Sequence, residues 1–436
     1  MTRQKQLKLR IRARMARTGE SYSTARRHVA GAPTPVEHTP VEHGGYRLRG
    51  GAHPESAALA NVLAHHGVRA AGGELSEALL FGVAGGPGAG YILWEFERDG
   101  SRPVVLGFFS QWQYHDRAVL AGLARLGVPA TVERTGGTVT AARTLAAALD
   151  AGTPALVWPD RRVAGYWHLP AHLDGMGGHP VVVHGRDGDR YRVDDRVLAP
   201  LTVPVAQLDA ARARVGSYKN LLVVPRPEGD VPEGTLRDAV LDAIADCATR
   251  LGGTSSSFAL PAWAKWARTI TDGTAAKGWP RVFADGRGLV GALASVWEGA
   301  SPAGMTGGHL RDLTAAFLEE VEPLVGPTAP AARAWRAAAA AWHEVAETAL
   351  PVDVPEFARL RELTAAVQQA VVAEGDGGAP DAAAVAAELW ALRAELDGSP
   401  PLTTPERDDL FAALSARLRE AHAAEKVAVA EMAAIG

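Results

Sequence analysis

The sequence predicts an α+β domain followed by an all-helical domain. Between residues 45 and 226, helical patterns come first and short apolar strand patterns come later, which favours an α+β arrangement over a doubly wound one. A polar, proline-rich joint then runs over residues 225–234. Beyond it strand signals vanish, and apolar residues recur at helical spacing, as at Trp335 and Trp342. We therefore expect an α+β domain over residues 45–226 and a helical domain over residues 235–436.

Apolar periodicity and turn residues define the elements of the first domain. An apolar stripe over residues 56–63 predicts a first helix, which should end before Gly67. A second helix is expected over residues 75–81 and is followed by the glycine-rich loop 82–90. Strands are expected over residues 154–158, 181–183, 190–193 and 221–224. The turn Asp187-Gly188-Asp189 separates the second and third of these strands, so we expect them to form an antiparallel hairpin.

Charge is distributed unevenly along the 436 residues, whose net charge is −4. Residues 1–29 carry nine Lys or Arg against one acid, Glu20, which gives a basic arm of +8 on a body of −12. The pattern predicts a short basic helical arm over residues 1–30 and a linker over residues 31–44. The arm could lie solvated against the acidic body, lie on an anionic membrane surface, or bind DNA or RNA. The nucleic-acid interpretation assigns phosphate contacts to Arg10, Arg12, Arg14, Arg17, Arg26 and Arg27.

Cysteine content and hydropathy exclude several classes of protein. Cys247 is the single cysteine, so the chain can form no internal disulfide and no cysteine-rich zinc or iron–sulfur site. No apolar run reaches the roughly 18 residues that a transmembrane helix needs, and the N-terminus lacks a secretory h-region. We expect a cytoplasmic protein without a cofactor. His38 and His43, each preceded by Glu, are interpreted as a duplicated linker rather than a metal site.

His179 and Asp195 form the most informative polar pattern in the sequence. His179 precedes the first strand of the expected hairpin, and Asp194 and Asp195 end the second, so the two ends should be neighbours. A carboxylate there could fix the imidazole tautomer and support His179 as a general base. The alternative is that His179 only begins a strand and that the two aspartates solvate a turn.

The first domain resembles the papain-like N-terminal domain of the butirosin biosynthesis protein H family. The residues that carry this resemblance are Gly50-Gly51-Ala52-His53, Asn61-Val62-Leu63, 75–82, Gly85-Gly86, Tyr91 and 178–185. The helical half is similar to the domain that usually follows, through Gly307-Gly308-His309-Leu310-Arg311 and Phe317-Leu318-Glu319. Together the resemblance covers residues 45–436.

The resemblance implies acyl transfer centred on a cysteine, from a carrier-protein thioester to an amine, with a Cys/His/Asp triad. The family nucleophile directly follows a histidine at the start of a helix, where the helix dipole lowers the thiol pKa. Here the residue after His53 is Pro54, which has no nucleophilic side chain. We do not expect another residue to replace this nucleophile. Ser56 points about 200° away from position 54 on a helix, and Cys247 belongs to an apolar stripe of the helical domain, where it is expected to be a core residue.

Two mechanisms remain for this pocket, which we expect to be lined by His53, Pro54, Gly85, Gly86 and Tyr91. In the first, His179 deprotonates an acceptor amine that attacks the thioester directly, and no acyl-enzyme forms. In the second, the pocket is catalytically silent and binds a peptide, a carrier or a small molecule. The expected partners are an acyl carrier protein or a peptide precursor, a small-molecule amine acceptor, nucleic acid through the arm, and a second copy in a homodimer.

Overall fold

The first half of the chain is built around an antiparallel sheet, as the sequence predicts. The structure, a computed structural model, describes residues 41–96, 101–114, 116–304 and 309–435. The strands are β1 Val41–His43, β2 Tyr46–Leu48, β3 Arg69–Ala70, β4 Gly73–Glu74, β5 Tyr91–Leu93, β6 Val104–Leu106, β7 Ala130–Glu133, β8 Ala155–Val157, β9 Val181–Asp187, β10 Arg190–Asp194, β11 Thr202–Pro204 and β12 Leu222–Pro225. The main sheet has the order β11-β10-β9-β8-β12-β7, and all its neighbouring strands are antiparallel.

Helices surround this sheet and make up the second half of the chain. Those of the first half are α1 Pro54–His65, α2 Glu77–Val83, α3 Arg117–Arg125, α4 Thr138–Asp150, α5 Arg161–Ala164 and α6 Val205–Arg214. Those of the second half are α7 Glu233–Leu251, α8 Pro261–Thr269, α9 Trp279–Val282, α10 Leu289–Ala300, α11 Arg311–Val325, α12 Ala329–Ala349, α13 Pro355–Gln368, α14 Ala379–Gly398 and α15 Thr404–Ala433. The α+β and all-helical fold classes are therefore confirmed.

The predicted hairpin is the element that shapes the candidate site. Strands β9 and β10 pair antiparallel across the turn at Gly188, with a register shift between Arg192 and Val193. Both faces of β9 are buried at its start, since Val181, Val182 and Val183 are at most 1% exposed, and Val193 of β10 is buried as well. The structure thus places the start of β9 beside the end of β10.

A large apolar core runs through both halves of the part of the chain that the structure describes. It includes Leu156 and Val182 of the sheet together with Trp263, Trp335 and Trp342 of the helical half. These tryptophans are fully buried, in agreement with their helical spacing in the sequence. Within the described ranges, no helix combines the length and the apolar character that crossing a bilayer requires.

The two halves are closely packed where α2 lies against α11. Gly82 of α2 lies so near Phe317 of α11 that a Cβ added at Gly82 would overlap the phenyl ring. Gly82→Ala is expected to lower the free energy of unfolding by about 1–3 kcal/mol, because overpacking outweighs the gain of about 1 kcal/mol in helix propensity. Urea unfolding would measure this change.

Gly234→Ala is the matched control for that variant. Gly234 also lies in a helix, α7, but a Cβ there would meet no atom within 4 Å. It should be neutral or slightly stabilising. Equal stabilities of the two variants would contradict the close contact at Gly82.

Candidate functional site

His179 and Asp195 meet at the junction of β9 and β10. His179 lies two residues before β9, where its backbone N–H donates to the carbonyl of Pro159 at 2.9 Å. Asp195 directly follows β10, and its Oδ1 lies 2.7 Å from Nε2 of His179. The antiparallel hairpin therefore brings together the two residues that the sequence singled out.

Four groups hold the Asp195 carboxylate, which is only 1% exposed. Besides His179 at Oδ1, Oδ2 accepts hydrogen bonds from the hydroxyl of Tyr166 at 2.9 Å and from Nε1 of Trp167 at 2.8 Å. Nε of Arg196 lies 3.6 Å from Oδ1. Burial by itself would raise the pKa of Asp195, but His179, through its hydrogen bond and through its charge when it is protonated, and then the charge of Arg196 hold this pKa well below its usual range. Asp195 is therefore a fixed anion.

The tautomer of His179 follows from this carboxylate. Because Asp195 can only accept, Nε2 carries the ring proton and Nδ1 carries the lone pair. No hydrogen bond occupies Nδ1 among the residues that the structure describes. Burial lowers the pKa of His179 below 6.5, and the nearby Asp195 opposes that effect. His179 is thus a neutral imidazole with a free basic nitrogen near pH 7.

Arg196 links the pair of His179 and Asp195 to the N-terminus of α1. Nη1 of Arg196 donates to the carbonyl of Ala52 at 3.2 Å, so one guanidinium contacts both Asp195 and the residue before His53. Pro54 is the first residue of α1, where its missing N–H leaves no helical hydrogen bond unmade. This contact ties the start of α1 to the end of β10.

His53 caps α1 with its side chain. Its Nδ1 accepts from the backbone N–H of Ser56 at 3.4 Å and lies 3.0 Å from the Ser56 hydroxyl. Its ring packs on Phe109 with centroids 4.1 Å apart. Oε1 of Glu77 accepts the N–H of His53 at 2.7 Å. Ser56 is buried in this capping network, as the helical angle indicated, and it offers no accessible hydroxyl.

Glu55 is a member of the site that the sequence did not indicate. Its Oε2 lies 3.0 Å from Nε2 of His53, which carries the proton because Nδ1 accepts. Burial alone would raise the pKa of Glu55, but His53 and, more weakly, His179 bring it below its ordinary value. Position 55 therefore supplies a second carboxylate near His179. A first-turn acid is so common in helices that the sequence alone carries no signal for this role.

All residues described above as part of the site, except Ala52, lie within the segment that one family model matches. The family model described as "Butirosin biosynthesis protein H, N-terminal" matches residues 53–196, which begin at His53 and end at Arg196. Over this segment the chain is similar to the butirosin biosynthesis protein H family. The two ends of the matched segment are the two ends that meet at the site. No curated protein matches the chain.

Three other expected pocket residues of the family segment contact the helical half. Tyr91 stacks on Trp266 with centroids 4.8 Å apart, and its hydroxyl accepts from Nε1 of Trp279 at 2.8 Å. The carbonyl of Gly85 accepts from Arg250. A Cβ at Gly86 would lie 3.4 Å from the thiol of Cys247. The contacts made by Gly85, Gly86 and Tyr91 thus join the halves, whereas His53 and Pro54 lie at the start of α1.

Cys247 is a buried core residue. It is 2% exposed, its Sγ lies 4.0 Å from the carbonyl of Pro87, and burial raises the pKa of its thiol. It has neither the exposure nor the ionisation of a reactive cysteine. The basic arm, with all six arginines assigned to phosphate contacts, lies outside the described residues, so nucleic-acid binding stays a prediction.

A cluster of His309, Asp312 and His343 in the helical half has the residue types of a metal site. Oδ2 of Asp312 lies 3.3 Å from Nε2 of His343 and 4.0 Å from Nε2 of His309. However, Nδ1 of His309 accepts the backbone N–H of Arg311 at 3.2 Å, so its proton is on Nε2. That nitrogen is a donor rather than a ligand, and His309 serves as a cap for α11.

A cavity of about 260 Å³ lies where β11 meets the helical half. Its lining includes Tyr166, Thr202 and Asp376. The carboxylate of Asp376 accepts from the N–H of Thr202 at 3.0 Å and from its hydroxyl at 2.7 Å, which joins the halves at this point. The cavity is connected to the dyad through Tyr166, whose hydroxyl binds Asp195.

Proposed function

We propose that the chain transfers an acyl or aminoacyl group from a carrier-protein thioester to an amine, with His179 as general base. The observation that carries this proposal is the 2.7 Å contact between His179 and Asp195, which leaves Nδ1 unprotonated. The family match over residues 53–196 supports a role in natural-product biosynthesis.

The proposed step needs no protein nucleophile. The acceptor nitrogen attacks the thioester carbonyl while Nδ1 of His179 takes one of its protons, and a C–N bond forms. The C–S bond then breaks, and the departing thiolate receives the proton from the imidazolium. A thioester is already an activated acyl donor, so orienting the two reactants beside a base accounts for the catalysis.

Direct transfer is preferred because the side chains that could form an acyl-enzyme are unsuited to it. Pro54 has no nucleophile, Ser56 is buried in the cap of α1, and Cys247 is buried against Pro87. Asp195 orients the imidazole and stabilises the imidazolium that forms during the step.

The test uses purified full-length protein with an acylated carrier protein and an amine acceptor. His179→Ala is expected to reduce transfer by about 10²–10⁴-fold, because it removes the base. Intact-mass measurement of the wild-type protein during turnover should show no acyl adduct. His422→Ala, which removes a histidine of α15, is the control and should keep wild-type activity. Wild-type activity in His179→Ala, or a trapped acyl adduct, would overturn the proposal.

A catalytically silent binding role is the second candidate, and the burial of the dyad favours it. His179 is only 8% exposed, which suits a structural imidazole as well as a gated base. In that case His179→Ala would leave binding of the carrier or peptide unchanged.

A further inference from the structure

Arg161 is an unpaired cation beside the dyad. It begins α5, two residues after Pro159, whose carbonyl accepts the N–H of His179. Asp160 forms an isolated antiparallel bridge with Gly178, so the two backbone segments run side by side. The guanidinium lies over the ring of Trp167 at 4.6 Å, and Trp167 in turn donates to Asp195. Arg161 is therefore fixed near the groups that hold His179.

The charge of Arg161 has no anionic partner in the described part of the chain. Its Nε and Nη2 are buried, yet neither makes a hydrogen bond. The nearest carboxylate is already occupied, because Asp195 receives His179, Tyr166, Trp167 and Arg196. Stacking on Trp167 neutralises none of the N–H donors.

Arg161 is partly buried as a residue, but leaving two of its guanidinium nitrogens buried without an acceptor is unfavourable, and a bound oxyanion would remove that cost. The planar fork of arginine matches the two oxygens of a carboxylate or a phosphate. A hydrogen-bonded partner would satisfy the two buried nitrogens that are now unpaired. The burial of these atoms distinguishes Arg161 from an ordinary solvated arginine.

We propose that Arg161 binds an oxyanion, a carboxylate or a phosphate, carried by the ligand of the His179 pocket. This inference rests on the proposed function in placing the acyl donor at that pocket. Two parts of a donor could supply the group: a carboxylate on the acyl chain or the phosphate of a phosphopantetheine arm. Both would meet the same guanidinium.

Three synthetic donors separate the two sources. Butyryl-N-acetylcysteamine carries neither group, succinyl-N-acetylcysteamine adds a carboxylate, and butyryl-phosphopantetheine adds a phosphate. The wild type should use one of the charged donors with a kcat/KM about 10- to 100-fold above that of the neutral one, as a charge-assisted hydrogen bond predicts. The preferred donor identifies the source.

Arg161→Met should remove this preference, whereas Arg162→Met should keep it. Arg162 is the next residue of α5 and is the matched control for charge and size. Arg161→Met should also melt no lower than the wild type, since it removes an uncompensated buried charge. A Tm that falls together with an unchanged preference would assign Arg161 to packing on Trp167 and overturn the proposal.

A binding measurement keeps this inference separate from the acyl-transfer proposal. Isothermal titration with succinate and with inorganic phosphate should show one of them bound by the wild type and not by Arg161→Met. If binding is observed but no donor turns over, the oxyanion site stands and acyl transfer fails. If donors turn over without preference and neither anion binds, the oxyanion site fails and acyl transfer stands.

Discussion

Asp195→Asn is expected to reduce acyl transfer by about two to four orders of magnitude. An asparagine can turn its NH₂ toward His179, and Nε2 would then accept a hydrogen bond instead of donating one. The ring proton would move to Nδ1, and the base would be lost. The rate of transfer from the acylated carrier protein measures this effect, and wild-type activity in Asp195→Asn would exclude a role for the dyad.

The pH dependence of the reaction gives a second test of the roles of His179 and Asp195. The active form of His179 is neutral, so the rate should rise with pH through the His179 pKa, which burial places below 6.5, and stay flat at neutral pH. Asp195 raises that pKa, so Asp195→Asn should shift the acid limb of the residual activity to still lower pH. A shift toward higher pH would contradict this assignment.

Tyr166→Phe is the control for damage to the surroundings of Asp195. It removes one donor to Oδ2 and leaves the contact between Asp195 and His179 in place. We expect a loss of less than about tenfold, in line with a single hydrogen bond of about 1 kcal/mol. Circular dichroism of both variants would verify that the fold is kept.

Glu425→Ala is expected to lower the free energy of unfolding by about 3–5 kcal/mol. Oε1 of Glu425 accepts from Nε of Arg311 at 2.6 Å, and both side chains are 0% exposed. Oε2 accepts from Nε1 of Trp263 at 2.9 Å, and Trp342 also donates to this carboxylate. The variant leaves a buried guanidinium without its anion. Urea unfolding followed by tryptophan fluorescence would measure the change.

A double variant tests whether the loss comes from the stranded charge. Arg311→Met combined with Glu425→Leu removes both charges and should therefore be more stable than Glu425→Ala, although it stays below the wild type because the carbonyls of Gly88 and Phe108 lose their donor. The exposed pair of Arg336 and Glu319 is the comparison, and Glu319→Gln should cost less than about 1 kcal/mol. If both carboxylate variants cost the same, the buried ion pair would not have the importance assigned to it.

The sequence predicts those elements whose signals are local. The strands β8, β9, β10 and β12 lie on apolar runs bounded by turn residues, and the helices of the second half follow apolar stripes. Strands β5, β6 and β7 were not predicted from the sequence. Pairing between the halves also escaped prediction, since Arg311 and Gly88, which share a hydrogen bond, are 223 positions apart.

The sequence predicted the contact between His179 and Asp195 at the hairpin, but it did not predict the other residues that bind Asp195. The turn at Gly188 gives the register that joins His179 to Asp195, so that contact could be derived. Tyr166 and Trp167 donate to Asp195 from a loop after α5, and no periodicity links that loop to β10. For Arg196, the only sequence signal of a role in the site is its position directly after Asp195.

Arg311 limits how the segment 53–196 can be separated from the helical half or exchanged between proteins. Its Nη2 donates to the carbonyl of Gly88 at 2.8 Å and its Nη1 to that of Phe108 at 3.2 Å, so a helical residue serves two loops of the family segment. A fragment that ends at residue 226 would leave both carbonyls without this donor beside bare apolar surface. Exchanging residues 53–196 between chains therefore requires loops that present two carbonyls to an arginine in the same place.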